Sequence, residues 1–538
     1  MFDYSAHGLI ESAVKPSLPG DGPQTVGAVL DRQLRLNPDR DALVGRSGRY
    51  SYAELDRVVA RACAVFLDLG IRRYDRVAAC LPNDVDIVIA LLACARLGAI
   101  WVGVNRPLAT PEKIFILQDC GAHLCLADPD SSAEIAGQQQ ALPDLQHLVC
   151  VDAGSSESAW HRLLSEATTE DCSTIAVDPF APAAIAYTSG TTGRPKGAVH
   201  SHHNILLPGA IEVHRGSYGP DCPQGVMLPM TILNLMVLAP MVAFQDGSCC
   251  VCMDSLKPEH VARWVRQERV GHFASVPTVI QDLLTSPQVH PDDLATLGHP
   301  DIGGAGCSEE VQTLYRERFG RRMTVAYGMT EAPTIVTRTD PEKTPQEELC
   351  GRAVEQLEVL IVDDKNEPVS QGELGQICIR PASSGPYANI YTTMLGYWNR
   401  PEATAAALSN GVYHTGDVGY LDEQQQLYIR GRQNDLIIRG GANVYPVEVE
   451  RVLTSHPAVS AAAVLGVDDL RLGQRVVAVV ELQANATLAG TVDDESGIQL
   501  FCRQHLARYK VPEQIKFVER LPRNAMNKIV KPQLLSLF

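Results

Sequence analysis

The stretch that most constrains this chain runs from residue 184 to residue 204, Ala-Ile-Ala-Tyr-Thr-Ser-Gly-Thr-Thr-Gly-Arg-Pro-Lys-Gly-Ala-Val-His-Ser-His-His-Asn. An apolar run, Ala181 to Ala186, reads as a buried strand that stops in a loop of hydroxyls and glycines. Thr188, Ser189, Gly190, Thr191, Thr192 and Gly193 come first, then Arg194, Lys196 and Gly197. Glycine accepts positive φ and lets the backbone come close to a ligand. Successive backbone N–H groups can then form an anion-binding concavity, with the hydroxyls as further donors and Lys196 as a point charge. That combination suits a polyphosphate. It is not a Walker A loop, because Pro195 precedes Lys196 and Gly197 stands where Ser or Thr is required. The plainer reading is a Ser/Thr/Gly turn between two elements, and the loop alone leaves both open.

Four later segments decide between them. They are Tyr327-Gly328-Met329-Thr330-Glu331, Tyr413-His414-Thr415-Gly416-Asp417, Gly431-Arg432-Gln433-Asn434-Asp435 with Gly440 to Glu450, and Pro522 to Lys528. With Tyr187 to Gly197 they resemble, in order, the signatures of the AMP-forming acyl- and aryl-CoA synthetases, whose superfamily also holds amino-acid adenylation domains and luciferases. The resemblance spans most of the chain. It implies an α/β multidomain fold: a large N-terminal domain of two α/β sheet subdomains plus a small β-barrel, then a small α+β C-terminal domain. The expected boundaries are 1–431, a hinge at 432–435 centred on Gln433, and a mobile domain at 436–538 carrying the catalytic lysine.

The residue pattern agrees with that outline. Helical spacing over Ser51 to Leu69, a strand at Arg76 to Leu81 and a helix after Asn83 give the βα alternation of a parallel sheet. Val26 to Leu36 reads as one helix, and the polar segment Gly154 to Glu170 as a surface loop. From Val354 to Arg380, alternation and turn residues suggest antiparallel strands. The chain has 538 residues, 45% hydrophobic and 20% charged, with a formal net charge of −17. Such a charge makes a nucleic-acid backbone an unsuitable partner. The most apolar window, Ile87 to Val104, contains Arg96 and Gly98 and reads as a buried helix and strand rather than a membrane span. Fifteen cysteines without a framework suit a cytoplasmic, reducing compartment. Cys249 and Cys252 form a lone C-x-x-C in an apolar run, which reads as core thiols. The N-terminus shows no signal-peptide pattern. His200, His202 and His203 lack acidic neighbours at metal-ligand spacing and read as structural or solvent-facing.

The reaction the resemblance implies is attack of a carboxylate on the α-phosphate of ATP, giving acyl-AMP and pyrophosphate, followed by transfer of the acyl group to the thiol of CoA. Lys528 would bridge carboxylate and α-phosphate, and Glu331 with Thr188 would hold Mg²⁺, a hard cation that prefers oxygen ligands. Thr188 to Gly193 and Lys196 would cradle the leaving phosphates. Asp417 would accept the ribose hydroxyls, with Arg432 beside it, while Tyr327 and Gly304-Ala305 flank adenine next to Gly328, Met329 and Thr330. Gly440 and Gly441 would border the CoA channel. Singly, each residue has a plain alternative, such as a turn aspartate for Asp417 or a first-turn acid for Glu331.

Three departures bear on geometry and substrate. Asn527 stands before Lys528 where the family has glycine, and Asn tolerates the left-handed region well. Thr231 and Ile232 occupy the usual aromatic-His places, and no aspartate stands in the run Leu228 to Asn234 to pair an amino-acid ammonium. Val325 replaces a common glutamine. The expected acyl pocket, Thr231, Ile232, Asn234, Leu238, Gly304, Ala305, Gly306, Val325 and Ala326, is therefore wide and apolar. The expected substrates are a small-molecule, apolar and even bulky acid, ATP and CoA. Transfer to an acyl carrier protein and a non-catalytic nucleotide sensor are the alternatives.

Overall fold

The computed structural model describes residues 2–152, 155, 157–168, 175–188, 195–298, 300–304, 307–342, 348–439, 442–469, 471–483, 495–524 and 528–538, without the side chains of residues 334, 434 and 443. Of the predicted site, Ser189, Gly190, Thr191, Thr192, Gly193, Ala305, Gly306, Gly440 and Gly441 lie outside the described residues, as does Asn527.

Two sheets build the N-terminal part. The first has seven strands in the order Gly396–Tyr397, Lys196–Ser201, Pro182–Thr188, Ile100–Gly103, Arg76–Cys80, Leu124–Ala127 and His147–Cys150. Its centre is parallel. Pro182–Thr188 and Lys196–Ser201 form an antiparallel pair with Thr188 opposite Lys196. Helix Tyr52–Asp68 starts from a capping box in which Ser51 and Glu54 satisfy each other's backbone N–H. In helix Val85–Arg96 every residue but Arg96 is buried, as expected for a helix that is apolar all round.

The second sheet starts at an antiparallel edge strand, Gly48–Ser51, and runs on as a parallel set, Asp41–Gly45, Cys250–Cys252, Gln224–Val226, His272–Ser275, Asp301–Ile302 and Thr324–Met329. It continues edge-on through the antiparallel strands Ala332–Arg338, Leu349–Ala353, Leu427–Arg432, Val412–Leu421, Gly375–Pro381 and Leu357–Val362. The last of these are the antiparallel strands expected between Val354 and Arg380. The C-terminal part is α+β: Val459–Asp469 pairs antiparallel with Gly473–Leu482, and helices Pro446–Thr454 and Glu495–His505 flank them. Its apolar clusters share no residue with the N-terminal ones.

Two local expectations are corrected. Residues 26–36 are not one helix but a 3₁₀ turn, Val26–Ala28, followed by helix Asp31–Leu36. Gly27 lies so close to Arg96 that an added Cβ would come within 2.8 Å of its Cα, so tertiary packing overrides the helical pattern. Within 154–170 the polar segment holds a helix, Ala159–Glu166, anchored by Trp160 and Leu164 one turn apart. Trp160 is fully buried and donates its indole N–H to Asp86 at 2.9 Å. The C-x-x-C reading holds: Cys249 and Cys252 are both free thiols, Cys252 buried in the strand Cys250–Cys252 and Cys249 partly buried against the core just before it.

The three histidines are structural. All are buried where Lys196–Ser201 turns into helix His202–Arg215. His200 donates from Nε2 to the Thr330 carbonyl at 2.8 Å, and His202 accepts at Nδ1 from the Val26 N–H at 3.3 Å. Burial drives both imidazoles down to about 4. Each is thus neutral in the folded chain, while its unfolded counterpart protonates as pH falls through about 6.5. The unfolded state binds more protons between those values, so stability is lost as pH falls, by about 1.4 kcal/mol per ring per pH unit. Urea midpoints measured from pH 7 to pH 4.5 should fall less steeply for His202→Gln than for the wild type. Parallel curves would contradict this.

Candidate active site

Asp417 is the fixed point of the site. Gly416 takes φ 73°, a left-handed value that favours glycine, and turns the chain between Thr415 and Asp417. The Thr415 hydroxyl donates to the Ile377 carbonyl at 2.7 Å and accepts from the Asp417 N–H at 3.0 Å. Asp417 is only 6% exposed. Tyr327 donates its hydroxyl to Oδ2 at 2.5 Å, and Arg432 Nε lies 3.2 Å from Oδ1. Burial raises the Asp417 carboxyl above its usual range, against Arg432, Tyr327 and Lys528, which pull it down. A carboxylate has about four acceptor positions, so both oxygens retain capacity for further donors.

Glu331 is the second centre. Tyr397 donates its hydroxyl to Oε1 at 3.0 Å, and the Thr188 hydroxyl lies 3.5 Å from the same oxygen. Lys196 Nζ sits 5.3 Å from the Tyr397 ring centroid. Both ends of the phosphate-loop segment therefore converge on Glu331, one directly and one through Tyr397. Residues 328–331 are held from two sides, by His200 on the Thr330 carbonyl and by the Asn234 amide on the Met329 carbonyl at 3.1 Å. Gly304 takes φ 79° at the end of the short strand Asp301–Ile302.

Lys528 arrives from the C-terminal domain. Its backbone N–H donates to the Asn524 side chain at 2.9 Å, and its carbonyl accepts from the Asn524 N–H at 2.8 Å, which pins the ends of the 524–528 loop. The side chain lies at the domain cleft, within electrostatic reach of Arg432, Asp417 and Glu331. Desolvation and Arg432 lower its pKa below the ordinary lysine value, and the two carboxylates only partly restore it. Gln433 sits between the domains, and its side-chain oxygen accepts from Gln376 at 3.1 Å.

Among the described residues no group of three or more His, Cys, Asp or Glu side chains could cage a metal. One carboxylate and one hydroxyl, Glu331 and Thr188, do fit Mg²⁺, which is usually held by one or two carboxylates together with substrate phosphates and water.

The predicted acyl residues divide. Thr231 is buried, with its hydroxyl 3.3 Å from Asn105, and Gly103 permits that approach because a Cβ there would collide with the Thr231 carbonyl at 1.9 Å. Ile232 is half-buried beside it. Val325 alternates onto the core face of Thr324–Met329 and packs there, whereas Ala326 pairs with Arg338 on the opposite face. Leu238 lines a pocket together with Val242, Ile335, Ala274 and Pro208. One wall of that cavity is charged, with Glu212, Arg215, Asp301 and Arg338, so the apolar description covers only part of it. Sequence reasoning missed Tyr397, which lies in no recognised motif, and this charged wall, whose members come from separate elements.

Asp417, Glu331, Arg432, Lys196 and Lys528 are thus gathered around one cleft from both domains. The class is an adenylate-forming acid–thiol ligase. Residues 30–398 match the AMP-binding enzyme family and residues 448–528 its C-terminal domain, and the chain belongs to that family. It is 34% identical over 532 residues to the 3-[(3aS,4S,7aS)-7a-methyl-1,5-dioxo-octahydro-1H-inden-4-yl]propanoyl:CoA ligase of Mycobacterium tuberculosis, covering 96% of this chain and 99% of the relative. It is 32% identical over 517 residues to a feruloyl-CoA synthase of Amycolatopsis, covering 96% and 99%. The structure resembles MatB from Rhodopseudomonas palustris over 96% of this chain and 98% of that one. The TM-score is 0.84 for the ATP-bound form at 27% identity and 0.73 for the apo form at 26% identity. The protein is an ATP-dependent, AMP-forming acid–CoA ligase with ATP and CoA as substrates. Among the described residues no helix is long and apolar enough to cross a membrane.

The lowered Lys528 pKa gives a pH signature. Its charge is lost as pH rises, and a lowered pKa moves that loss to lower pH. The alkaline limb of kcat/KM for ATP, which reports free-enzyme groups, should therefore begin below 10.5, the ordinary lysine value. Lys528→Ala should cut adenylation by several orders of magnitude with little change in ATP binding, and Lys528→Arg should abolish the limb. Near-normal adenylation in the alanine variant would contradict the assignment.

Proposed function

We propose that the acid this ligase joins to CoA has a bulky, largely apolar body. The observation that carries the reading is the pocket whose apolar side is formed by Leu238, Val242 and Ile335. The absence of an aromatic-His pair at Thr231-Ile232 leaves the approach to it open. The named acyl group of the Mycobacterium tuberculosis relative, a fused two-ring propanoyl, and the feruloyl group of the Amycolatopsis relative are in keeping with it.

In this reading Lys528 lies between the acid carboxylate and the α-phosphate, where negative charge gathers as the new P–O bond forms and the bond to pyrophosphate breaks. Thr188, the 189–193 segment and Lys196 hold the departing phosphates. Glu331 and Thr188 hold Mg²⁺, which when bound offsets phosphate charge. Asp417, steadied by Arg432, accepts the ribose hydroxyls. Tyr327 and the 304–305 backbone flank adenine, beside Gly328, Met329 and Thr330. CoA then attacks the acyl carbon along a path bordered by Gly440 and Gly441, AMP leaves, and the thiol proton is released. The higher TM-score to ATP-bound MatB than to its apo form supports reading this arrangement, with Lys528 facing Asp417, as the adenylating one. Thioester formation then calls for 436–538 to turn about 432–435 relative to 1–431. Fourteen cysteines are free among the described residues, in keeping with a reducing cytoplasm.

Two experiments test these points. Acid-dependent pyrophosphate release should favour ring-bearing or long apolar acids over acetate and over amino acids, whose ammonium would meet no partner near the reacting carboxylate. Ile232→Trp should damage large acids far more than propionate. A preference for acetate or any amino acid would overturn the reading. For the hinge, Gln433→Pro fixes φ and should spare one half-reaction while crippling the other. Equal retention of both would place the pivot elsewhere.

A further inference from the structure

The pocket at Leu238 has one polar wall. Arg338 Nη2 lies 2.9 Å from Asp301 Oδ2, and its Nη1 lies 3.4 Å from Glu212 Oε1. Its third nitrogen, Nε, is buried without a partner among the described residues. Around this guanidinium, His272 Nε2 is 3.4 Å from Asp301 and 3.5 Å from the Tyr218 hydroxyl, while His272 Nδ1 lies 3.1 Å from Gln224. Glu212, Tyr218, His272, Asp301 and Arg338 all line the cavity. Arg338 and His272 hold the Asp301 carboxyl below the usual range although burial pushes it up.

The wall is reached from the reaction centre along two elements. The segment Leu233–Asp246 places Asn234 on the Met329 carbonyl and Leu238 and Val242 on the cavity. Asn234 to Val242 spans about 12 Å at helical rise. Strand Ala332–Arg338 begins next to Glu331 and ends at Arg338. A carboxylate at Lys528 and a ring body over Leu238 would thus leave the far end of the acid at Arg338.

Resting on the proposed bulky acid, we propose that Arg338, with Tyr218 beside it, forms a specificity subsite for a neutral oxygen acceptor, a ring carbonyl or hydroxyl, at the end of the acid distant from its carboxylate. An anion is disfavoured, since the Asp301 and Glu212 carboxylates already flank the Arg338 guanidinium. A buried, unpaired N–H carries a desolvation cost, which an acceptor relieves. An acid ending in methylene leaves that donor unmet, and sites of this kind reject such analogues strongly.

The test uses two acids with the same fused-ring propanoate body, one with a ring ketone at the far end and one with methylene there. Acid-dependent pyrophosphate release gives kcat/KM for each. The wild type should favour the ketone at least tenfold. Arg338→Lys keeps a cation between Asp301 and Glu212 while losing the Nε donor, and Tyr218→Phe removes only the hydroxyl. Arg338→Lys should collapse the ketone-to-methylene ratio to within about threefold, mostly through KM, and Tyr218→Phe should lower it by less. A wild type without preference, or variants that weaken both acids equally, would overturn the subsite while leaving the bulky-acid reading intact. Turnover of neither acid by the wild type would overturn both.

Discussion

The site depends on one buried carboxylate. Asp417 is taken out of water with Tyr327 and Arg432 on its two oxygens, and an unpaired charge there would be costly. Its partners come from different places: Tyr327 from the hairpin strand that leads to Glu331, Arg432 from the last residue of the strand before the interdomain linker. One interaction therefore ties the second sheet to the end of strand Leu427–Arg432 and to the cleft that Lys528 enters. That coupling explains why Thr-Gly-Asp is so short a motif. Threonine caps the aspartate's own N–H, glycine supplies the turn, and the aspartate does the rest.

The first sheet reaches the same point through uncharged contacts. Neutral, buried His200 carries its hydrogen bond to the Thr330 carbonyl, and Tyr397 spans from the edge strand to Glu331. Charge is concentrated where anions must meet, while the surrounding polar groups that position it are uncharged. A protein with formal charge −17 can thus hold ATP through local donors and cations, since the global field would repel it.

Much of this was legible in the residues. The strand entering the 188–197 segment, the buried helix after Asn83, and the pairings at Asp417 and Glu331 follow from apolar periodicity and from short motifs whose chemistry is local. Gly27 and Trp160 show where such reading stops. A helix pattern broken by a close backbone approach, or a polar segment anchored by one indole, depends on a partner far along the chain. The same applies to the acyl pocket. Leu238 lines the pocket, Val325 packs in the core cluster, and the charged wall assembles Glu212, Asp301 and Arg338 from a helix and two strands. No window of sequence contains that wall.

The central claim is that Asp417 is both the structural pivot and the ribose acceptor. Its most direct measurement compares pyrophosphate exchange driven by ATP and by 3′-deoxy-ATP in the wild type and in Asp417→Asn. The amide preserves shape while losing charge and acceptor capacity. The account predicts strong discrimination in favour of ATP by the wild type, and its near-disappearance in the variant. Equal use of both nucleotides by the wild type, or undiminished discrimination in the variant, would contradict it.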